Sequence, residues 1–520
     1  MSLELDTVSY TLLASIFGAT ALLSLRNAKG ADIHPLLLNT QSDVSRLRHA
    51  GESAIYRSRM YPNGSPLLTT FDRNIRTLLD LYEQGGQIKH GEAAQQVKQV
   101  YGGLRDLTAL TPRSANASSF LGIYAYQSPA CHNNGLVTVP IGAKSSSSHL
   151  DHVIKTTGLQ VLAVDKAHFD QVVSLIQGTS IRYLILLDQD EVTDAMKQKT
   201  TVDILSYKQI QNKGKSVTVD SVQPEPSDIA SIYFSSSLFY IHYYFILFNN
   251  NFIASYLLII PPNEKIQDKD RLLYNLPIDS VYGFVLSSIF SFVGGSIGYN
   301  SEFSASEHLT SYLEIVASAK PTVFASGPGI FELVREHIEQ HYGSSFLFRR
   351  GYDKKLHYFT EGRLVTDSKY DMLVFRDIQR KLFGGQLRLI YIENDENEKP
   401  VAPFLRAVLG VQVLKVFNSA ETSSTMTASM FYDYNADPQA VGAPLPCNEL
   451  KLMDYPDKSL YCDDSPNPRG EIWIRGNNVF HGYWNDPIAT EDVLDADGWY
   501  MTGVLGELLP NGTLKLLGPK

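Results

Sequence analysis

The sequence predicts a layered α/β fold. From residue 121 onward, short apolar runs alternate with stretches of helical periodicity, and this alternation is typical of parallel sheets covered by helices. The apolar runs include residues 136–141, 159–164 and 181–187. A chain of 520 residues is longer than one compact core usually requires, so we expect two or three subdomains.

The composition is that of an ordinary globular protein and argues against nucleic-acid binding. Hydrophobic residues make up 44% of the chain and charged residues 19%. The formal net charge is −10, and no block of Lys or Arg is longer than two residues. Because a nucleic-acid-binding protein normally presents a basic face, we expect no nucleic-acid partner.

Two further segments have a predictable local structure. Apolar residues recur at three- and four-residue spacing over residues 71–100, which predicts a helix. Residues 211–227 are polar and contain two prolines, which predicts an irregular surface connection.

The N-terminal segment has the length and composition of a membrane anchor. Residues 8–25 (VSYTLLASIFGATALLSL) carry no charge and can just cross a hydrocarbon core of about 30 Å. Acidic residues precede this segment, and Arg26 and Lys29 follow it, so the positive-inside rule places the rest of the chain in the cytosol. A buried helix of the globular body is the alternative interpretation.

Residues 238–260 (LFYIHYYFILFNNNFIASYLLII) do not resemble the rest of the chain. They are hydrophobic throughout, with three asparagines in the middle. Nearly all of them can be encoded by codons made of A and T alone, so translated non-coding sequence is one hypothesis. A second membrane segment is another, although asparagines near a bilayer centre are unfavourable. A buried hairpin is the third.

A series of short motifs follows in the second half of the chain. The last hundred residues contain VGAPLP (441–446), RGEIWIRG (469–476), GYW (482–484), DGW (497–499) and TG (502–503). Ahead of them are LP (276–277), KPTVF (320–324) and AET (420–422).

In this order, the motifs resemble those of the adenylate-forming enzymes, and of the long-chain acyl-CoA synthetases in particular. The resemblance extends from about Ala31 to Lys520 and is interrupted at residues 238–260. It implies the N-terminal domain of that fold, with layered α/β subdomains and a small β-rich subdomain near the C-terminus. The family's C-terminal lid domain is expected to be missing, because the hinge position coincides with Lys520.

The resemblance and the residue pattern together predict a division of the chain. The predicted parts are an N-terminal membrane anchor (1–30), the first part of the AMP-binding-like domain (31–237), the apolar insert (238–260), the second part of that domain (261–440) and a β-rich subdomain (441–520).

The resemblance also implies a reaction and its partners. The family uses ATP and Mg²⁺ to convert a long-chain fatty acid to an acyl-adenylate, from which the thiol of CoA displaces AMP. A reaction between a carboxylate and a phosphate requires cations and hydrogen-bond donors that neutralise negative charge. We therefore expect ATP, Mg²⁺, CoA, a long-chain fatty acid and a membrane as partners. The expected location is the cytosolic face of the endoplasmic reticulum or a peroxisome.

Several positions match the family's site residues. Glu421 corresponds to the glutamate that acts in catalysis and holds Mg²⁺. Phe417 and Thr422 correspond to nucleotide-binding positions, with Phe417 able to stack on adenine. Ser235, Ser236 and Ser237 stand where the phosphate-binding loop begins; as an alternative, they are ordinary residues at the end of a strand.

Other positions depart from the family pattern. Val504 replaces the aspartate that accepts hydrogen bonds from ribose, and Asn418 replaces a glycine. Ser280 and Gly329 replace a histidine and an arginine, and residues 393–398 replace a small Gly-Ala-Pro turn. The hypothesis is therefore a long-chain fatty acid–CoA ligase homologue that is inactive as written. The alternative is a membrane-anchored pseudoenzyme that binds fatty acid or acts as a scaffold without adenylation.

Overall fold

The computed structural model describes most of the chain in separate stretches. The described residues are 15, 18, 31–32, 40–45, 48–60, 64–70, 72–81, 91–108, 110–112, 120–125, 135–142, 145–217, 222–234, 244–248, 265–277, 279–299, 308–393 and 401–520.

The strands of these stretches are short and rich in branched apolar residues, as buried strands are. In chain order they are β1 (Ser42–Val44), β2 (Tyr56–Ser58), β3 (Phe120–Ala125), β4 (Val137–Gly142), β5 (Val161–Val164), β6 (Tyr183–Leu186), β7 (Asp203–Ser206), β8 (Ile229–Phe234), β9 (Tyr244–Phe248), β10 (Arg271–Tyr274), β11 (Ser296–Tyr299), β12 (Val323–Ser326), β13 (Leu389–Glu393), β14 (Gln412–Ser419), β15 (Ser424–Ala428), β16 (Ala440–Pro444), β17 (Asn448–Met453), β18 (Arg469–Gly476), β19 (Tyr500–Leu508) and β20 (Leu514–Pro519).

The helices lie between these strands. In chain order they are α1 (Gly91–Leu107), α2 (Ser147–Thr157), α3 (Lys166–Leu175), α4 (Asp194–Lys197), α5 (Tyr207–Ser216), α6 (Val281–Val293), α7 (Leu309–Ala319), α8 (Pro328–Tyr342), α9 (Phe346–Thr360), α10 (Arg376–Phe383), α11 (Ala402–Leu409) and α12 (Pro487–Val493), with a π-helical turn at Asp371–Phe375 before α10 and a 3₁₀ turn at Pro456–Lys458.

The first sheet has the strand order β7-β6-β5-β3-β4-β8-β9. Strands β3 to β8 are parallel, and β9 pairs antiparallel with β8. All four residues of β5 are buried, because helices cover both faces of this sheet. The predicted apolar runs at 136–141, 159–164 and 181–187 correspond to β4, β5 and β6.

The second sheet changes from parallel to antiparallel along its width. Its order is β1-β2-β17-β18-β19-β20-β16-β15-β14-β13-β12-β10-β11. Strands β10, β11, β12, β13 and β14 form the parallel half of the sheet. In the other half, which runs from the β14–β15 pair to the β2–β1 pair, the paired strands are antiparallel. The antiparallel half contains the predicted β-rich C-terminal region, and the layered α/β prediction is confirmed.

The helices begin and end where the sequence provides caps. Helix α2 starts at Ser146, whose hydroxyl accepts from the backbone N–H of His149, and ends at Gly158 in the left-handed conformation. Helix α5 has a reciprocal capping box between Ser206 and Gln209.

One helix lies where the sequence predicts an irregular connection. Helix α5 includes residues 211–216, so that part of the prediction for 211–227 is wrong. The helix buries only Ile210, which leaves almost no apolar periodicity to detect. It is held against α1 by glycines: an added Cβ on Gly103 would overlap the carbonyl of Ile210, and one on Gly214 would overlap the carbonyl of Gln99.

Two predicted membrane segments fall largely outside the described residues. Of residues 8–25, only Ser15 and Gly18 are described. Of residues 238–260, only the backbone of β9 is described, and it pairs antiparallel with β8, which lies before this segment. The three interpretations of residues 238–260 stay predictions. Within the described stretches, no helix combines the length and the apolar character needed to cross a bilayer.

Candidate functional site

Four parallel strands of the second sheet end at the same edge. Strands β10, β12, β13 and β14 finish at Tyr274, Ser326, Glu393 and Ser419, respectively. Ligands of open α/β sheets bind outside the carboxyl ends of the parallel strands. We call this region, together with the loop after β14, the carboxyl edge.

The loop after β14 is irregular and strained. The pairing of β14 with β15 shifts register after Phe417. Ser423 and Ser424 have φ angles of 52° and 120°, which non-glycine residues rarely adopt. The buried hydroxyl of Thr422 lies 2.9 Å from the carbonyl oxygen of Ser424 and 3.1 Å from that of Ser419, so it donates within the loop. Such strain is typical of functional loops.

Glu421 lies in this loop, surrounded by hydroxyl groups. The hydroxyl of Ser419 donates to one carboxylate oxygen, and that of Tyr483 lies 3.4 Å from the other. Tyr500 on β19 also hydrogen-bonds the carboxylate. The backbone N–H of Phe480 donates to the Glu421 carbonyl at 2.6 Å and fixes the loop. Burial raises the pKa of the Glu421 carboxyl above its ordinary value, although the hydroxyl donors act in the opposite direction.

A second acid, Glu393, lies at the end of β13. Its Oε2 accepts a hydrogen bond of 3.2 Å from the amide of Asn418, whereas its buried Oε1 has no partner among the described residues. Burial raises the pKa of Glu393 to about 7. The hydroxyl of Tyr282 on α6 is also buried without a described partner, and Glu393 contributes to the electrostatic environment that raises the pKa of this tyrosine.

Neither Glu393 nor Tyr282 is predicted from the sequence to have a role in the site. The available signal was an acid that directly follows the apolar run LIYI of β13, at the end of a parallel strand. Asn418, which the resemblance identifies as a departure from the family glycine, is the residue that binds Glu393.

Of the residues predicted to bind nucleotide, two are buried and three lie outside the described residues. Phe417 is 3% exposed and belongs to the apolar core with Met426 and Val441, so stacking on adenine would require its ring to leave that core. Thr422 is fully buried. Ser235, Ser236 and Ser237 lie outside the described residues, and their assignment stays a prediction.

The positions that depart from the family pattern have ordinary structural roles here. Val504 lies on β19 and is partly exposed, packed against the core. Ser280 caps α6 by accepting from the backbone N–H of Gly283 at 3.0 Å. Gly329 lies in the first turn of α8, where open space surrounds its Cα.

The described residues fit Mg²⁺ only as a single-carboxylate site. None of them form a group of three or more His, Cys, Asp or Glu side chains arranged to hold a metal. A carboxylate has about four acceptor positions, and three hydroxyls already occupy the surroundings of Glu421. Because Mg²⁺ often takes one carboxylate plus the phosphate oxygens of a substrate, Glu421 is compatible with that arrangement.

A cavity of about 520 Å³ lies away from this site. Residues 384–386, which precede β13, and residues 409–410, which precede β14, line it. The cavity is therefore at the amino ends of the parallel strands, opposite Glu421 and Glu393, and is not part of the candidate site.

Comparison with known proteins finds a family and several relatives to which the chain is similar. Residues 246–484 match the family described as AMP-binding enzyme. The chain is 30% identical to mouse long-chain-fatty-acid–CoA ligase 5 over 78% of its own length and 60% of the length of that protein. It is 27% identical to guinea pig long-chain-fatty-acid–CoA ligase 1 over 94% of its own length and 73% of that relative. The chain thus spans less than two thirds of the mouse relative.

Solved structures have the same fold. The A domain of carboxylic acid reductase from Segniliparus rugosus, in complex with AMP and a carboxylic acid, matches with a TM-score of 0.63 at 17% identity, over 92% of this chain and 70% of that one. A long-chain-fatty-acid–CoA ligase from Archaeoglobus fulgidus matches with a TM-score of 0.64 at 15% identity, over 88% and 86%. The chain therefore has the fold of these solved structures, its residues 246–484 match the AMP-binding enzyme family, and most of its length is similar in sequence to the long-chain-fatty-acid–CoA ligases.

Proposed function

We propose that this chain is a long-chain fatty acid–CoA ligase homologue that binds its acyl substrate at the carboxyl edge but, with the sequence it has, binds nucleotide weakly. ATP, Mg²⁺ and CoA are the co-reactants that this function requires. The observation that carries the proposal is Val504 on β19, in place of a ribose-binding aspartate and on the same strand as Tyr500, which contacts Glu421.

The side chains of the carboxyl edge have separate roles in this proposal. Glu421 would hold Mg²⁺, which supplies positive charge to the phosphates of the nucleotide. Ser419, Tyr483 and Tyr500 orient the Glu421 carboxylate by donating hydrogen bonds to it. The apolar face of α6, with Phe284, Val285 and neighbouring residues, excludes water from the edge.

The second candidate function is fatty-acid binding without adenylation. It is favoured by Val504, which cannot accept a hydrogen bond from ribose, and by the three hydroxyls that already engage the Glu421 carboxylate. Under this candidate, fatty acid raises the melting temperature of the protein whereas ATP does not, because a ligand stabilises only the state that it binds.

Restoring the acid tests the proposal. In Val504→Asp, a charged hydrogen bond to the ribose hydroxyls is expected to add about 1.5–3 kcal/mol of binding free energy, or roughly 10- to 150-fold in AMP affinity. Titration calorimetry with AMP and MgCl₂ measures the change, and pyrophosphate release with ATP and palmitate reports adenylation. Val504→Asn is the matched control, since it has the shape of aspartate without the charge.

The outcomes separate the two candidates. Tighter AMP binding and measurable pyrophosphate release in Val504→Asp support a ligase weakened at this position. If Val504→Asp binds AMP no better than Val504→Asn and releases no pyrophosphate while palmitate still binds, the binding protein is the better description.

We propose membrane attachment through residues 8–25, with the globular part on the cytosolic face of the endoplasmic reticulum or a peroxisome. The support is the uncharged segment and the basic residues after it. A chain that starts at Ala31 should fail to co-sediment with vesicles that retain the full chain. Equal co-sedimentation of the two chains would contradict the proposal.

A further inference from the structure

Two pairs of exposed apolar side chains lie on α9 and on the π-helical turn before α10. Phe346 and Leu347 begin α9 and are 69% and 43% exposed, and Met372 and Leu373 in the turn are 55% and 63% exposed. Ten large apolar side chains are exposed in the described part of the chain, and only these four form adjacent pairs. Single exposed apolar residues are ordinary, whereas grouped ones indicate an interaction surface.

The two segments pack side by side. The ring of Phe348 in α9 lies 5.7 Å from the ring of Phe375, the last residue of the turn. An added Cβ on Gly351 would meet the Phe375 ring at 2.9 Å. One turn further along α9, the buried Lys355 forms an ion pair with Asp371. Because the inward residues of both segments are in contact along their length, their outward residues belong to one continuous surface.

This surface is mainly basic. When the buried ion pair is set aside, α9 carries three Lys or Arg residues and one acid, and residues 369–381 carry four and one. The acid of the second segment, Asp377, is already paired with Arg380 and Lys381. Arg376 and Arg380 line the cavity of about 520 Å³ beside the turn, so they border the apolar pair. We call the outward residues of α9 and of residues 369–381 the basic surface; its charge is opposite in sign to the net charge of −10 of the chain.

The composition of the basic surface favours one kind of partner. Basic residues are attracted to the headgroups of anionic lipids, and apolar side chains beside them can enter the boundary between headgroups and acyl chains. The apolar pairs project outward, whereas the binding of a peptide helix requires a groove. A second copy of the chain that docked through the same surface would bring like charges together.

We propose that the basic surface docks on bilayers that contain anionic lipids, with its two apolar pairs in the headgroup region and its Lys and Arg side chains on the lipid phosphates. This inference deepens the proposed membrane attachment, because it adds a second contact and names the lipid class that the contact selects. It requires neither the anchor in residues 8–25 nor adenylation.

The test places a polarity-sensitive NBD dye on the full chain, at Met372→Cys in a Cys131→Ser background; Cys447 and Cys462 are buried. With vesicles of phosphatidylcholine and phosphatidylserine, the emission should increase and shift to the blue. With phosphatidylcholine alone it should not change. Salt at about 1 M should reverse the response, because it screens charges beyond about 3 Å. The same dye at Ile488→Cys, on the exposed face of α12, is the matched control and should not respond.

A charge variant checks which side chains select the lipid. Arg349→Gln combined with Arg350→Gln should lower the affinity for the mixed vesicles by about 30-fold, since each basic residue near an anionic surface contributes about fivefold. The control combines Lys197→Gln with Lys199→Gln, which removes two exposed lysines outside the basic surface and should leave the affinity unchanged. Both double variants should melt at the temperature of the unmodified chain, because exposed charges contribute little to stability.

Four outcomes would overturn the inference. They are no response of the dye at position 372 on either kind of vesicle, an equal response on both kinds, a response without vesicles that grows with protein concentration, and equal affinity losses in the two double variants. The third would identify a contact between copies of the chain.

The anchor fails or stands separately. The comparison with the chain that starts at Ala31 uses phosphatidylcholine vesicles, which have no net charge for the basic surface to recognise. If the full chain does not sediment with those vesicles but the dye responds on the mixed ones, the anchor is refuted and the basic surface is supported. If the full chain sediments with both kinds while the dye stays unchanged, the anchor is supported and the basic surface is refuted.

Discussion

At the scale of single residues, the two acids of the carboxyl edge both have a raised pKa because they are buried, but they accept hydrogen bonds from different neighbours. Burial raises the pKa of both Glu393 and Glu421. Glu421 accepts from three hydroxyls, whereas Glu393 accepts only from Asn418 among the described residues. Glu421 is therefore the better anionic ligand, and Glu393 is the acid that changes protonation near neutral pH.

The raised pKa of Glu393 predicts a pH-dependent stability. Its pKa is raised from 4.5 to about 7 in the folded chain, so the folded state binds the proton more tightly than the unfolded state. This contribution is fully present below about pH 4.5 and is lost as the pH rises through about 7, a change on the order of 3 kcal/mol.

In Glu393→Gln this titration is absent. The free energy of unfolding of the variant, relative to the unmodified chain, should therefore increase by a few kcal/mol between pH 5 and pH 8. Urea unfolding at the two pH values measures it. The control is Asp194→Asn, whose side chain is 92% exposed and which should follow the unmodified chain. A difference between Glu393→Gln and the unmodified chain that is constant with pH would contradict the assignment.

The residues of the site were only partly predictable from the sequence. Glu421 was identified because it stands in a motif, and the structure places it at the carboxyl edge. Glu393 and Tyr282 are 111 positions apart, and the burial of Glu393 Oε1 and of the Tyr282 hydroxyl depends on how β13 and α6 are placed in the fold. No local pattern contains that information, and the burial of Phe417 in the core was not predictable from its motif position either.

At the scale of elements, close helix packing is achieved with glycine. Helices α1 and α5 approach each other so closely that Gly103 and Gly214 face backbone carbonyls of the opposite helix. Helix α5 has few apolar residues, so backbone proximity replaces the wide apolar stripe that usually holds a surface helix. This explains why periodicity identified the strands of the first sheet and not this helix.

A methyl group at this contact should force the helices apart. Gly103→Ala and Gly214→Ala are each expected to lower the free energy of unfolding by about 1–3 kcal/mol, because the added Cβ overlaps a carbonyl that cannot move alone. Urea unfolding provides the measurement. Gly329→Ala is the matched control: its Cβ meets open space in α8, so it should be neutral or stabilise by up to about 1 kcal/mol. Equal effects at all three positions would mean that helix contact is not the cause.

At the scale of the whole molecule, the second sheet joins distant parts of the chain. Strand β2 pairs with β17, and the hydroxyl of Ser42 donates to the carbonyl of Gly512 at 2.5 Å. A buried ion pair of 2.6 Å joins Lys451 to Glu52, 399 residues away, and the Lys451 ammonium also lies over the ring of Trp499. The resemblance predicted the β-rich region, but the inclusion of residues 42–58 in it depends on pairing that no local signal encodes.

Because the ion pair is buried, we expect a single variant that removes one partner to lose more stability than a double variant that removes both. Lys451→Met leaves the Glu52 carboxylate buried and unpaired, which should cost about 3–5 kcal/mol of unfolding free energy. Combining it with Glu52→Leu should recover most of that loss. Lys199→Met removes an exposed pair with Asp170 and is the control, with an expected change below about 1 kcal/mol. Additive losses in the double variant would mean that Lys451 and Glu52 contribute independently, which would contradict this explanation.

The pairing of β2 with β17 also sets an order of events during synthesis. Strands β3 to β8 follow one another along the chain and can assemble soon after they leave the ribosome. Glu52 must wait for Lys451, 399 residues later, and at roughly 5–20 residues per second that interval is roughly 20–80 s. During that time the edge of β2 is without its partner strand, which is the condition that recruits chaperones to nascent chains. The long-range pairing that completes the second sheet therefore leaves β2 without its partner strand until almost 400 further residues have been synthesised.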